Sequence, residues 1–227
     1  MRIDELNHPL PVLVDVLRTQ CGEFLDMCAG KPLYRGMKRF DHDYFINIGP
    51  RNRRKNIGDD HLWLEITIDR FLKKKGINAL RTNSTFTTPD HDTAQNYGEV
   101  FMIFPKDGFE FCYGGTSDIY LDIERWLRNE ALYDAEEHGY SEQIQSLLND
   151  CSGDLHIFEV YLQRSRIMRM AFENLYLTRY GFTNRNLQEA ISQTYEVWFT
   201  GNYHAISVNS DTGQEVCDAL GFPKKKY

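Results

Sequence analysis

The chain has 227 residues, 41% hydrophobic and 13% aromatic, with a formal net charge of −7, a composition that suits a folded globular protein with one substantial core, alone or carrying a helical insertion. The negative balance excludes charge-driven binding of the whole surface to nucleic acid or to an anionic membrane, so any nucleic-acid contact must be local. No apolar run approaches the ~20 residues needed to cross a bilayer, and no apolar stretch of an export signal follows the N-terminus, so a cytoplasmic protein without membrane attachment is expected.

Pro11 opens an amphipathic helix on which Leu13, Leu17, Phe24 and Cys28 fall at near-helical spacing, with Gly30 as its stop. Pro32-Leu33-Tyr34-Arg35-Gly36 then reads as a short strand ending at a glycine, with one arginine in an apolar run. Such an arginine is either paired within the protein or aimed at an anionic ligand. Residues 37–58 contain Pro50 and the basic run Arg51-Asn52-Arg53-Arg54-Lys55 and read as a long loop; the run is a solvated segment or a holder of phosphate. Residues 59–75 predict a second helix with Leu64, Ile68, Phe71 and Leu72 on one face. Asp59 and Asp60 stand at its start, Lys73, Lys74 and Lys75 in its last turn, and Gly76 stops it.

Arg81-Thr82-Asn83-Ser84-Thr85-Phe86-Thr87-Thr88-Pro89 is a hydroxyl-rich strand pattern, and Asp90-His91-Asp92-Thr93-Ala94-Gln95-Asn96-Tyr97-Gly98 a short helix stopped by glycine. Val100-Phe101-Met102-Ile103-Phe104-Pro105 and Phe109-Glu110-Phe111-Cys112-Tyr113 read as two strands joined by the turn Lys106-Asp107-Gly108. This order of elements argues for an α+β fold over a doubly wound parallel sheet. Residues 116–180 are long, charged and helix-patterned, with Trp126, Leu127, Leu132, Ile144, Leu147 and Leu148 as apolar positions, and read as a helical insertion accessory to the core of one domain spanning 1–227. Within them 157–177 read as helix on length. Arg164, Arg166 and Arg169 form a basic face, salt-bridged in the plainer reading and a nucleic-acid contact in the other. His204 reads as a strand or turn residue. Five cysteines with no disulfide framework read as reduced thiols, and neither they nor the seven histidines show metal-ligand spacing, so no metal is expected.

Near the C-terminus Ala190-Ile191-Ser192-Gln193-Thr194-Tyr195-Glu196-Val197-Trp198-Phe199 gives a helix end, a polar loop and a glutamate at the start of an apolar strand. Taken in order, Arg35, the 84–88 hydroxyl run and Glu196 resemble the Arg / Ser-Thr-Ser / Glu pattern of the ADP-ribosyltransferases. Thr85 stands in the first-serine position by spacing from Ala94, or Ser84 by residue type. The same elements are similar to those of uncharacterised bacteriophage and large-virus proteins, which would make the cytoplasm that of a host.

The resemblance implies a split β-sheet core with flanking helices, NAD as substrate, and transfer of ADP-ribose to an acceptor that is a protein, a nucleic acid or a small molecule. It makes Glu196 the catalytic carboxylate, Thr85 or Ser84 the hydroxyl that orients it, and Arg35 the partner of the pyrophosphate. Ser84, Thr85, Thr87, Tyr97 and Tyr113 are then expected around the dinucleotide, with Tyr97, Phe104 or Tyr113 as the flat wall against nicotinamide. Thr194 stands two positions before Glu196, where members that modify arginine carry glutamate or glutamine. The competing reading is a binding or structural protein that keeps this fold without turnover.

Overall fold

A computed structural model describes residues 10–38, 44–49 and 61–222, with the backbone alone for 44–47. The protein is α+β. At its start, helices α1 (Leu10–Gln20) and α2 (Gly22–Met27) replace the single helix expected. The break at Cys21 is held by a neighbouring turn: Asp107 accepts from the Glu23 N–H at 2.9 Å, and Glu23 accepts from the Gly108 N–H at 2.9 Å.

β1 (Leu33–Met37), β2 (Tyr44–Ile48), helix α3 (Leu62–Lys74), β3 (Thr85–Thr87), helix α4 (His91–Gln95), β4 (Glu99–Pro105) and β5 (Phe111–Tyr113) follow. A helical stretch comes next: α5 (Ile119–Asn129), α6 (Ala131–Glu137), α7 (Glu142–Cys151), α8 (Leu155–Arg164), α9 (Arg166–Phe172), a π-helical turn Glu173–Leu177 and α10 (Thr178–Tyr180). The chain closes with α11 (Leu187–Ser192), β6 (Val197–Phe199), β7 (Tyr203–Ser207) and α12 (Asp211–Leu220). The strands form two antiparallel sheets, β1-β4-β7-β2 and β3-β6-β5.

β4 and β5 do not pair with each other as the turn at 106–108 predicted. They are successive parts of one long segment that runs antiparallel to the segment carrying β6 and β7, with Phe104 opposite His204 in the first sheet and Phe111 opposite Phe199 in the second. Between the sheets the two bends bond each other, the Lys106 N–H to the Asn202 carbonyl at 3.0 Å and the Thr200 N–H to the Glu110 carbonyl at 2.8 Å. Gly108 and Gly201 supply positive φ at those bends, +80° and +84°. The Lys-Asp-Gly signal is therefore real but marks a kink in a ribbon instead of a reversal. β2 likewise corrects the loop expected over 37–58, because its backbone pairs with β7; the basic run Arg51 to Lys55 lies outside the described residues.

The three-stranded sheet is covered on both faces. Val197 and Phe199 join one apolar cluster with Leu13, Leu17, Phe24, Phe101 and Ile206, whereas Trp198 and Cys112 join a second with Leu64, Ile68, Trp126, Phe158 and Phe172. Strand alternation divides them, since neighbours along a strand face opposite ways. The helices from Ile119 to Tyr180 are thus no accessory element: they bury α3 and one face of the sheet. α8 and α9 are separate, broken at Ser165, whose hydroxyl accepts from the Met168 N–H at 3.1 Å. The first turn of α3 is capped from a distance, with Glu159 accepting from the Trp63 and Leu64 N–H groups; Asp59 and Asp60 lie outside the described residues. No helix among the described residues is long and apolar enough to cross a membrane.

Deleting residues 119–180 is expected to abolish cooperative thermal unfolding, because α3 and Trp198 lose most of their large apolar partners in this cluster and keep chiefly Phe182 and Phe86. Phe158→Ala in the intact chain is expected to cost ~3–5 kcal/mol by urea titration. A deleted chain that still melts cooperatively would contradict the shared core.

Candidate active site

An open cleft of about 230 Å³ lies where the two sheets meet. An isolated bridge joins them there, with the Tyr34 N–H donating to the Thr88 carbonyl at 2.7 Å and the Thr88 N–H returning to Tyr34 at 2.9 Å. β1 contributes Tyr34, Arg35 and Gly36 to the lining, and the end of β3 contributes Phe86, Thr87 and Thr88. Glu196 enters from the start of β6, so Arg35, Thr87 and Glu196 share one cleft despite their separation in the chain.

The wall beyond Gly36 is α4. Asp90 caps it, accepting from the Thr93 N–H and from the Thr93 hydroxyl at 2.7 Å. The helix rests directly on β1: an added Cβ at Gly36 would lie 2.1 Å from the Ala94 carbonyl oxygen. Thr93, Ala94 and Tyr97 thereby reach the cleft. Tyr97 is 65% exposed, and its hydroxyl donates to Asp118 Oδ2 at 3.0 Å. Partial burial, then the Asp118 charge, push its pKa up to about 12. The other Asp118 oxygen caps α5 through the Tyr120 and Leu121 N–H groups at 3.0 and 3.2 Å.

Glu196 is positioned by its backbone. Thr194 takes a left-handed φ of +58°, the Tyr195 N–H donates to the Ala190 carbonyl at 3.0 Å, and the Glu196 N–H donates to the Thr116 carbonyl at 2.9 Å. The glutamate therefore leaves the turn between the Thr116-Ser117-Asp118 segment and β3, with its side chain 17% exposed. Burial raises its pKa, while the nearby Arg81 guanidinium opposes that rise.

Arg81 is a cleft residue to which the sequence reading gave no role. It is 2% exposed yet lines the cleft. Its guanidinium carbon lies 4.3, 4.4 and 4.8 Å from the ring centres of Phe86, Tyr120 and Trp198. Nη1 stands 3.9 Å from Glu196 Oε2 and Nε 3.7 Å from Glu65 Oε1. The Tyr120 hydroxyl donates to Glu65 at 2.9 Å. Only the position of Arg81 just before the hydroxyl strand signalled it.

Several expected cofactor contacts lie elsewhere. β3 pairs with β6 so that Thr87 opposes Val197, beside Glu196, and Thr85 opposes Phe199 at the far end. Thr85 is 1% exposed, with no hydrogen-bond partner for its hydroxyl; Ser84 is buried and donates to Asn83 Oδ1 at 3.2 Å. Neither lines the cleft. The hydroxyls that do are Thr87, which donates to the Val197 carbonyl at 2.9 Å, and Thr88, which accepts from the Asp90 N–H at 3.1 Å. Tyr113 is turned away from the cleft, its hydroxyl on Glu189 at 3.2 Å and its ring stacked on Tyr195. Phe104 is in the core against Phe222.

Other candidates resolve into structure. Arg169 donates to the Leu162 and Gln163 carbonyls and so closes the end of α8, while Arg164 and Arg166 are exposed. His204 is buried in β7, with Nε2 3.2 Å from Gln20 Oε1, and burial pushes its pKa down to about 4. The five cysteines are free and buried; burial pushes the Cys21, Cys112 and Cys151 thiols up to about 12, which suppresses thiolate chemistry. Among the described residues no group of three or more His, Cys, Asp or Glu could hold a metal ion.

Comparison with protein-family models, curated proteins and solved structures gave no match.

Gly36→Ala should separate α4 from β1, because its Cβ would meet backbone that cannot swing aside. The expected cost is ~1–3 kcal/mol in chemical denaturation, with Tyr97 becoming more accessible to a phenol-selective reagent. Unchanged stability and unchanged Tyr97 reactivity would show that the contact is not needed.

Proposed function

We propose that the chain is a mono-ADP-ribosyltransferase with a split-sheet core, which cleaves the nicotinamide–ribose bond of NAD and passes ADP-ribose to an acceptor. The observation that supports this reading most is the shared cleft: an arginine on the first strand, two strand hydroxyls and a strand-start glutamate face one space, in the chain order of the family they resemble. The cleft volume, about 230 Å³, lies below the ~300–1,000 Å³ usual for small-molecule sites. It would take one end of a dinucleotide and leave the rest over its open rim.

Each residue then has a chemical task. Breaking the bond sends its electron pair to nicotinamide and leaves the ribose oxocarbenium-like, as in glycoside cleavage. The Glu196 carboxylate beside that carbon stabilises the cationic state more than the ground state. Arg35 offers a fork of donors to a phosphate oxygen. Thr87 and Thr88, in place of Ser84 and Thr85, are the hydroxyls at hand for the nicotinamide ribose, and the Tyr97 ring gives a wall. At the acceptor side Thr194 donates to its neighbour's carbonyl, so that an arginine acceptor would lack a carboxylate or amide there. The reading as a non-catalytic binding protein draws on one observation, that Ser84 and Thr85 are turned away from the cleft.

Glu196→Gln keeps the size of the side chain and removes its charge. It should leave NAD affinity nearly intact while slowing nicotinamide release ~100-fold or more. Arg35→Lys should mainly weaken NAD binding. Both are read from NAD titration and nicotinamide release on the same preparations, with labelled NAD to identify the acceptor. A wild-type chain that binds no NAD at millimolar concentration leaves the binding-protein reading in its place.

Because the Glu196 pKa is raised, the active anion should be lost, as pH falls, at a higher pH than for an ordinary glutamate near ~4.3. A pH profile of nicotinamide release whose acid limb lies at or below that value would contradict the role of Glu196.

A further inference from the structure

We propose that Arg81 is the positioning residue of this cleft, clamped among three aromatic rings so that its guanidinium holds the Glu196 carboxylate at the cleft wall as an anion, the task expected of Ser84 or Thr85. The proposal rests on the same site as the transferase reading but on different observations. Among the described residues no strand hydroxyl is hydrogen-bonded to Glu196: Thr85 lies at the far end of the β3–β6 ladder, the Thr87 hydroxyl donates to the Val197 carbonyl, and the Thr88 hydroxyl accepts from the Asp90 N–H. Arg81 approaches Glu196 to 3.9 Å, and its Nε and Nη1 have no hydrogen-bond partner although both are buried. A guanidinium out of water with unspent donors requires an anion nearby. Only Glu65 and Glu196 are within ion-pair range among the described residues.

The surroundings restrict how Arg81 can move. Phe86 comes from β3, Trp198 from β6 and Tyr120 from α5, so the guanidinium is gripped by one sheet and one helix. Glu196 immediately precedes β6, two residues before Trp198, and both lie near the Arg81 guanidinium, which brings the carboxylate to the rim of that box. Glu65 on α3 completes the box from behind, fixed by the Tyr120 hydroxyl.

Other groups around Glu196 act with or against Arg81. Asp118 opposes the anion from the loop before α5, Tyr97 and Tyr180 present phenols from beyond α4 and from α10, and the Trp198 indole N–H, buried without a partner at hydrogen-bond distance, favours the anion. Arg35 lines the same cleft from β1. Burial raises the Glu196 pKa, and the Arg81 guanidinium is the main influence restraining that rise.

The test is a carboxyl titration, which reads the clamp whether or not the chain cleaves NAD. Glutamate labelled with carbon-13 at the carboxyl is incorporated, and Glu196→Gln assigns the resonance. Removing Arg81 alone would strand Glu65, so Arg81→Met is made together with Glu65→Gln and compared with Glu65→Gln. Glu65→Gln should move the Glu196 midpoint to lower pH, since it removes a like charge and leaves the guanidinium to Glu196 alone. Adding Arg81→Met should move it to higher pH than in wild type, and Arg81→Lys should keep it closer to wild type than the methionine does. If the double variant titrates where Glu65→Gln does, Arg81 does not hold Glu196 and the proposal falls. If the double variant does not fold, a Glu65→Gln midpoint that stays put or rises overturns it equally. Where NAD is cleaved, the double variant should lower kcat ~10-fold or more at neutral pH with KM for NAD nearly unchanged. Loss of both together would mark a structural role. Failure to cleave NAD, with the predicted midpoints observed, would count against the transferase reading and leave the clamp standing.

Discussion

A cation taken out of water needs an opposite charge, polarisable surfaces around it, or both, and Arg81 has both. Its guanidinium is buried where the three-stranded sheet meets the helical half, between Phe86, Trp198 and Tyr120, with Glu65 behind and Glu196 in front. At an effective dielectric constant near 20, unit charges ~4 Å apart interact by ~4 kcal/mol. That is of the order needed to hold a carboxylate ionised in a buried place. Burial disfavours the charge of Arg81, yet Tyr120, Glu196 and Glu65 outweigh it and its pKa lies above the ordinary arginine value. The arrangement makes the cleft's electrostatics depend on the packing of helices that touch the cleft only through Tyr120 and the segment before it.

The sheets supply the second constraint. Because residues 99–113 and 197–207 run as one antiparallel ribbon kinked at 106–110 and 200–202, β6 begins where β3 ends, and the bridge from Thr88 to Tyr34 draws β1 to the same point. The kink opens a gap between the sheets while the Lys106 and Thr200 N–H groups stay bonded across it. The cleft sits in that gap, with the close approach of α4 over Gly36 as its far wall.

Local signals account for what was legible in the sequence. Asp90 before Thr93, and Gly98 after Tyr97, announce α4 because capping and the positive φ of a stop are set within a few residues. Arg35 and Glu196 were legible as strand residues in a family-like order, and the cleft contains both. The strand hydroxyls were not assignable, because which threonine faces Glu196 is fixed by the register of β3 against β6, over a hundred residues away. The turn at 106–108 was legible as a bend but not as a kink between sheets, a distinction that depends on Asn202 and Thr200. Arg81 gave no periodic signal, since its partners come from α3, α5, β3 and β6 and converge only in the folded chain. The helices after Ile119 showed their amphipathic pattern, but their partner faces, α3 and Trp198, lie far along the chain on either side.

The central claim is that the space between Arg35, Thr87 and Glu196 is where the nicotinamide end of NAD is held for cleavage. A crystal structure with a non-hydrolysable NAD analogue tests it most directly. The account predicts the nicotinamide-bearing ribose beside the Glu196 carboxylate, a phosphate oxygen on Arg35, and Arg81 still clamped behind the carboxylate. An analogue bound elsewhere on the protein, or with its ribose turned away from Glu196, would contradict it.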